Sequence, residues 1–131
     1  MVRRSALSKG ELEVARVLWS LGKATVRDVF EAFSKKQRPA FATVQTYLRR
    51  LEAKGYLQAT LEGRVKVYSP RVRPKQVIHE TVDDFMNRLF DGEALPLMRH
   101  LINERGISPE EIEQLRDMLN RLERENNESR Q

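Results

Sequence analysis

The chain of 131 residues contains no cysteine and only two histidines. Without cysteine the protein has no disulfide bond and no thiolate-bound metal. No stretch is apolar over the roughly 18 residues that a membrane-spanning helix needs. The N-terminal residues also lack the apolar core of a signal peptide. These absences predict a cytoplasmic protein that does not interact with membranes.

The sequence patterns of catalysis and cofactor binding are also missing. The chain has no glycine-rich phosphate loop and no serine–histidine or cysteine–histidine arrangement. His79 and Asp83 have the four-residue spacing of helical zinc ligands, but no third ligand accompanies them. We therefore predict neither an enzyme nor a protein that binds a metal or cofactor.

Positive charge is confined to the first half of the chain. Residues 1–74 contain 16 lysines and arginines against 6 acidic residues, whereas residues 75–131 contain 8 against 13. A basic region of this kind is typical of nucleic-acid-binding proteins. Phosphates would repel the acidic half, which is therefore expected to have a different role.

Capping patterns predict the first two helices of the basic half. Ser8 with Glu11, and Thr25 with Asp28, each form a capping box, in which an N-cap hydroxyl is followed three residues later by a carboxylate. Gly22 is expected to end the first of these helices.

The stretch from Thr43 to Gly55 is predicted to be a third helix with two different faces. Val44, Leu48 and Leu51 form a narrow apolar arc, and small residues, hydroxyls and arginines lie opposite. Small side chains permit close approach, hydroxyls bond phosphates or base edges, and guanidinium groups bind guanine or phosphate. This composition is typical of a helix in the major groove of DNA, although an ordinary solvated face would look similar. The predicted DNA contacts of this helix are Thr43, Gln45, Thr46, Arg49 and Arg50.

After the third helix the hydrophobic period changes from 3.6 to 2, which predicts a β-hairpin. Apolar positions alternate with polar ones on both sides of a turn at Glu62-Gly63. The apolar positions are Leu57, Ala59, Leu61, Val65 and Val67. The other face, with Arg64, Lys66 and Tyr68, is expected to be basic and polar. Arg64 and Lys66 are predicted to contact the phosphate backbone beside the groove.

Three further helices are predicted beyond a stiff hinge at residues 70–74. They cover about residues 75–90, 94–104 and 108–125, and the polar tail that follows is expected to be frayed. Three helices make a small core, yet their apolar stripes are strong, so we expect a second copy of the chain to cover them. A self-contained three-helix cap is the alternative. The predicted dimerisation residues are Ile78, Val82, Phe85, Met86, Leu89, Phe90, Ile112, Leu115 and Leu119.

The predicted fold is therefore mainly α with a small β-hairpin. A winged helix-turn-helix DNA-binding domain over residues 1–74 precedes a three-helix dimerisation domain over residues 75–131.

Several motifs along the chain match one known family. They are EVARVLW from Glu13, ATVRDV from Ala24, TVQT from Thr43, RL from Arg50, KG from Lys54, GR from Gly63, YSP from Tyr68, FDG from Phe90 and ISPEEI from Ile107. In order and spacing they resemble the penicillinase-repressor (BlaI/MecI) family of bacterial transcription regulators, over roughly residues 8–125. The resemblance implies a homodimeric repressor that binds a palindromic operator in double-stranded DNA. It also implies that Thr43, Thr46 and Arg50 read or position the DNA.

The resemblance further implies a way of lifting repression. In the best-known members, a membrane-bound β-lactam sensor with a metalloprotease domain triggers cleavage of the C-terminal domain. Control of β-lactam-response genes and a sensor protease partner are therefore implied here as well.

Two positions depart from the pattern of the family's most familiar members. Where those members have a tryptophan, a serine cap and a proline, this chain has Pro39-Ala40-Phe41. The third helix must therefore start without a side-chain cap, at a typical cost of about 1 kcal/mol.

The second departure concerns cleavage, because His100-Leu101 stands where the familiar Asn–Phe bond is cut. Leu97, Leu101 and Ile102 are expected to be buried, and a buried helical bond resists proteolysis unless it opens locally. We predict that a family protease from another system cuts this bond inefficiently, and that truncation after His100 abolishes tight operator binding.

Two other classes of function fit part of these observations. One is an architectural protein that binds DNA without sequence preference, and the other is a winged-helix protein-interaction module. The apolar stripes argue against the first, and the uneven charge distribution argues against the second.

Overall fold

The computed structural model describes residues 4–130, so the first three residues and Gln131 of the predicted domains lie outside the described part. It divides into two compact units, one ending at Val82 and one beginning at Asp83. The first unit contains three helices, a two-stranded antiparallel hairpin and the beginning of a fourth helix. These elements are α1 (Lys9–Leu21), α2 (Val26–Ala32), α3 (Phe41–Ala53), β1 (Leu57–Glu62), β2 (Val65–Pro70) and α4 (Pro74–Phe90).

Both predicted capping boxes are confirmed. The backbone N–H of Glu11 donates to the Ser8 hydroxyl (3.2 Å), and the N–H of Ser8 donates to the Glu11 carboxylate (2.9 Å). Thr25 and Asp28 exchange the same pair of bonds at 3.1 and 3.0 Å. Each box satisfies N–H groups that would otherwise lack a helical partner. Gly22 follows the last residue of α1 with φ +85°, as expected of a glycine at this position.

The loop between α2 and α3 is ordered by an arginine that the sequence patterns did not identify. One terminal nitrogen of Arg38 donates to the carbonyls of Glu31 (3.1 Å) and Phe33 (3.2 Å) at the end of α2. Its guanidinium carbon lies 4.9 Å from the centroid of the Phe30 ring. Ala40 then begins α3 without a side-chain cap, as predicted.

The core of the first unit joins all of its elements. Val77, in the first turn of α4, is almost fully buried with the residues of α1–α3 and the hairpin. The core residues are Val14, Ala15, Leu18, Ala24, Val29, Val44, Leu48, Leu51, Tyr56, Leu57, Tyr68 and Val77. Because Val77 is part of this core, the first unit extends to Val82 rather than ending at the predicted boundary, Pro74.

The segment predicted to be a stiff hinge, residues 70–74, is held against the first unit. The backbone N–H groups of Arg71 and Val72 donate to the carbonyl of Tyr56, at 3.0 and 3.4 Å. Val72 also packs against the core. The segment is therefore fixed by hydrogen bonds to the connection between α3 and β1 and by packing of Val72.

The hairpin is confirmed, but its predicted faces are wrong. Glu62 pairs with Val65, so the two-residue turn is Gly63-Arg64 rather than Glu62-Gly63. Any two-residue turn places odd-numbered residues of β1 opposite even-numbered residues of β2, so the apolar positions predicted for the two strands could not share one face. Lys66 and Tyr68 therefore lie opposite Leu61 and Ala59, on the face predicted to be apolar, and Val65 and Val67 lie opposite Glu62 and Thr60. Tyr68 is also fixed by backbone hydrogen bonds to Ala24 in both directions, and its side chain is buried.

The second unit contains the end of α4 and the remaining helices. These are α5 (Ala94–His100), a π-helical segment (Leu101–Arg105) and α6 (Pro109–Ser129). A third capping box begins α6, with hydrogen bonds of 3.1 and 3.2 Å between Ser108 and Glu111. The predicted single helix over 94–104 changes to π-helix at Leu101. The tail predicted to fray is helical to Ser129.

The second unit has no core of its own. Between residues 83 and 130, all of which the structure describes, no side chain is buried. Leu101 is 36% exposed and Ile102 is 50% exposed, so their predicted burial is wrong for the single chain. Burial at these positions requires apolar contacts that the described residues of one chain do not provide.

Candidate nucleic-acid interface

The orientation of α3 is fixed by three side chains on one side of the helix. Val44, Leu48 and Leu51 are fully buried in the core of the first unit. Since successive residues are 100° apart around a helix, the side opposite this arc must face outward. Within the described chain this outward side contains Arg49 and Arg50, both exposed.

The predicted contact residues of α3 all lie at least partly at the surface. Thr43, Gln45 and Thr46 are half-buried beside the two exposed arginines. A shallow depression of about 270 Å³ follows this surface. It is lined by Ala42, Thr43, Thr46, Tyr47 and Arg50.

The hydroxyl of Thr46 already has one hydrogen-bond partner. It donates to the carbonyl of Ala42 at 2.9 Å, one helical turn earlier. Its proton is therefore engaged, and its remaining capacity is that of an acceptor. Such an oxygen can accept from the amino group of adenine or cytosine in the major groove.

Arg50 lies beside an aromatic ring that α1 holds in place. Its guanidinium carbon is 5.8 Å from the centroid of the Tyr47 ring. The ring in turn packs against Gly10, so closely that a Cβ on Gly10 would lie 2.5 Å from Cζ of Tyr47. Sequence patterns gave no indication of this contact, because it depends on how α1 and α3 pack.

The C-terminal end of α3 is joined to the beginning of α1 by a buried ion pair. Lys54 Nζ lies 2.7 Å from a carboxylate oxygen of Glu11, whose side chain is 2% exposed, and donates to the carbonyl of Ala6 at 3.0 Å. Burial tends to raise the pKa of Glu11. The hydrogen bonds from Lys54 and Ser8 outweigh burial, and they hold the pKa below its ordinary value of 4.5. Glu11 therefore has two functions, as a cap for α1 and as an anchor for α3.

The β1–β2 hairpin, here called the wing, presents its two predicted contact residues differently. Arg64 lies in the turn at the tip, is exposed, and has no ion-pair partner among residues 4–130. The ammonium of Lys66 instead lies 2.8 Å from the carboxylate of Glu52 on α3 and 5.1 Å from the centroid of the Tyr68 ring. The hydrogen bond to Glu52 raises the pKa of Lys66 above its ordinary value. Lys66 is thus directed toward α3 by its ion pair with Glu52.

The predicted dimerisation residues lie at the surface of the single chain. On α4, Ile78, Val82, Phe85 and Leu89 are 47–64% exposed. Met86 and Phe90 are half-buried, and the rings of Phe85 and Phe90 meet edge to face at 6.0 Å. On α6 the exposed apolar residues are Ile112, Leu115, Met118, Leu119 and Leu122.

Two further properties concern only the described residues. None of the helices formed by residues 4–130 has the length and apolar character that crossing a bilayer requires. In the same part of the chain, no three acidic, histidine or cysteine residues lie close enough together to hold a metal ion.

Three helices, an antiparallel hairpin and an outward helix face bearing two arginines define a winged helix-turn-helix protein. The model of the penicillinase repressor family matches residues 7–121. The chain belongs to this family.

Individual relatives agree with this assignment. The penicillinase repressor of Bacillus licheniformis is 33% identical over 113 residues, which are 86% of this chain and 88% of the relative. The methicillin resistance regulatory protein MecI of Mammaliicoccus sciuri is 24% identical over 115 residues, 88% of this chain and 94% of the relative. A similar solved structure is the monomeric form of Bacillus licheniformis BlaI in complex with the blaP half-operator. It is 36% identical and covers 57% of this chain and 92% of that chain, with a TM-score of 0.48.

Proposed function

We propose that this protein is a transcriptional repressor that binds operator DNA through α3 and the wing. The observation that carries the proposal is the outward face of α3, where Arg49 and Arg50 stand beside small and hydroxylic side chains. The only acidic residue of α3 is Glu52, and Lys66 neutralises it. The face is therefore positive, and it is narrow enough to approach a polyanion closely.

The dimensions and chemistry of α3 suit the major groove. An α-helix with its side chains is about 10–12 Å across, and the groove is about 12 Å wide. We assign Arg50 to guanine and Gln45 to adenine, because these pairings use two hydrogen bonds each. Thr43, Thr46 and Arg49 complete the contacts, and Arg64 at the wing tip contacts phosphate.

The second half of the proposal is a homodimer built from α4, α5 and α6. Exposed apolar residues recur along α4 and α6, and residues 83–130 contain no buried side chain. A helical unit of this size without a core needs another surface to cover its apolar stripes. A second copy of the chain supplies matching stripes, and two winged domains then bind a palindromic operator.

Release of repression by a sensor protease is the remaining part of the family-based proposal. The bond between His100 and Leu101 lies where α5 changes to π-helix, and both residues are exposed in the single chain. Burial within one chain therefore does not protect this bond from a protease. It differs from the bond cut in the familiar members in its residues, which are His and Leu instead of Asn and Phe. Cleavage there would detach α6, which carries one of the two apolar stripes.

The test is the binding of full-length protein to duplex DNA over a range of salt concentrations. A repressor binds its operator at least about 10³-fold more tightly than random duplex at physiological salt. An architectural protein would show a steep salt dependence with little preference between the two duplexes. Failure to bind any duplex at low salt would refute the proposal. It would favour the alternative of a winged-helix protein-interaction module.

A further inference from the structure

The wing tip is held by two ion pairs on different strands. At the end of β1, Glu62 accepts a hydrogen bond from Lys23 Nζ at 3.0 Å, in the segment between α1 and α2. Near the beginning of β2, Lys66 Nζ lies 2.8 Å from the carboxylate of Glu52 on α3. The turn that contains Arg64 lies between these two attachments.

The two ion pairs differ in their exposure to solvent. The side chains of Lys23 and Glu62 are 68% and 57% exposed, whereas those of Lys66 and Glu52 are 44% and 35% exposed. Lys66 also lies over the ring of Tyr68, which is buried in the core. The Lys66–Glu52 pair, which joins the wing to α3, is therefore the less exposed of the two.

Glu52 lies on α3, the helix that carries the proposed base contacts. Glu52 follows Arg49 and Arg50 on α3, so a bond to its carboxylate fixes the wing relative to the helix that carries the proposed base contacts. Ion pairs this exposed contribute little to the free energy of unfolding. Their effect is expected in geometry, because they determine where the wing tip stands beside the groove.

We infer that Lys66 is a positioning residue, which acts through Glu52 to set the wing tip against α3, and that Arg64 is the phosphate contact of the wing. This inference rests on the proposed DNA-binding function. It replaces the sequence-based prediction that both Arg64 and Lys66 contact phosphate. It also explains why an acidic residue is tolerated beside a surface that binds a polyanion.

Two paired variants of the full-length protein separate positioning from phosphate contact. Lys66→Met with Glu52→Gln removes both charges and leaves the net charge unchanged. Lys66→Glu with Glu52→Lys exchanges the charges and keeps the attraction between β2 and α3. Arg64→Gln serves as the matched control at the wing tip. Binding to a selected operator is measured from about 50 to 200 mM salt, where each phosphate contact contributes about 0.9 to the slope of log K against log salt.

If Lys66 is a positioning residue, the neutral pair binds about 3- to 10-fold more weakly with the salt slope of the unaltered protein, and the exchanged pair recovers most of the affinity. Arg64→Gln lowers the slope by about 0.9 per subunit. The inference is overturned if the neutral pair lowers the slope by the same amount, or if it binds as tightly as the unaltered protein. Failure of the exchanged pair to recover affinity, with urea unfolding unchanged, would also overturn it. The unaltered protein tests the proposed function separately, since that function fails if this protein binds no duplex DNA or binds operator and random duplex equally well.

Discussion

Gly10 and Tyr47 are in such close contact that a Cβ at position 10 requires the Tyr47 ring to move. A Cβ there would lie 2.5–2.7 Å from three atoms of the Tyr47 side chain. The same ring lies 5.8 Å from the guanidinium carbon of Arg50. The packing of α1 against α3 therefore determines where the ring beside a proposed base contact can stand.

Substituting Gly10 with alanine should destabilise the protein, although alanine normally favours a helix by about 0.8–1 kcal/mol. We expect Gly10→Ala to lower the free energy of unfolding by about 1–3 kcal/mol, because the rigid ring must move. Urea unfolding measures this change. In a Tyr47→Leu background, which lacks the contacting ring atoms, Gly10→Ala should be stabilising. Destabilisation of equal size in both backgrounds would show that the ring is not the cause.

The ion pair between Glu11 and Lys54 should make stability depend on pH below neutrality. The pKa of Glu11 is lower in the folded protein than its ordinary value of 4.5, so its stabilising effect is present above that pH and is lost as the pH falls through the folded value. Glu11→Gln keeps a capping oxygen but removes the charge, at an expected cost of about 1–3 kcal/mol near neutral pH.

The measurement is urea unfolding of both proteins between neutral pH and about pH 3. The difference in free energy should be constant near pH 7 and shrink once the pH falls below 4.5. Glu13→Gln, at an exposed position of α1, is the control and should change stability by less than about 0.5 kcal/mol. A difference between the unaltered protein and Glu11→Gln that does not vary with pH would contradict this account.

A charge on the apolar stripe of α4 should prevent dimer formation. We expect Phe85→Asp to give a monomer at micromolar concentration, because an interface that covers this ring would bury an unpaired carboxylate. Sedimentation velocity measures the mass of the species. Asn87→Asp adds the same charge at an exposed position on another side of the helix and should leave the dimer intact. A Phe85→Asp protein that remains dimeric would place the interface elsewhere.

Loss of the guanidinium of Arg50 should weaken specific binding more than non-specific binding. If Arg50 bonds to a guanine, Arg50→Ala should cost about 1–3 kcal/mol per subunit and relax the preference at one base pair of each half-site. Titration against operator and random duplex separates the two effects. Arg121→Ala, an exposed arginine on α6, is the control and should bind both duplexes as the unaltered protein does. Equal loss on both duplexes would reassign Arg50 to phosphate contact.

Features that depend on neighbours in sequence were predictable here. The capping boxes at Ser8, Thr25 and Ser108 each involve residues three apart, and the buried arc of α3 follows from its helical period. The family assignment also followed from local motifs, since the family model covers residues 7–121.

Features that depend on long-range packing were not predictable. The Lys54–Glu11 pair joins residues 43 positions apart, and no pattern connects them. The faces of the wing depend on how its strands pair across the two-residue turn, which places Lys66 opposite Leu61, and alternation within each strand does not show this pairing. The burial expected at Leu101 and Ile102 failed because apolar periodicity shows that a surface is to be covered, not that the same chain covers it.

The central claim, that two copies of α3 read a symmetric operator, is tested most directly by selecting bound duplexes from a random pool. The full-length protein is used, and the recovered sequences are aligned. The account predicts two inverted half-sites whose centres are about 34–36 Å apart along the helix axis, or a multiple of that distance. Recovery of sequences without two-fold symmetry, or no enrichment over the starting pool, would contradict it.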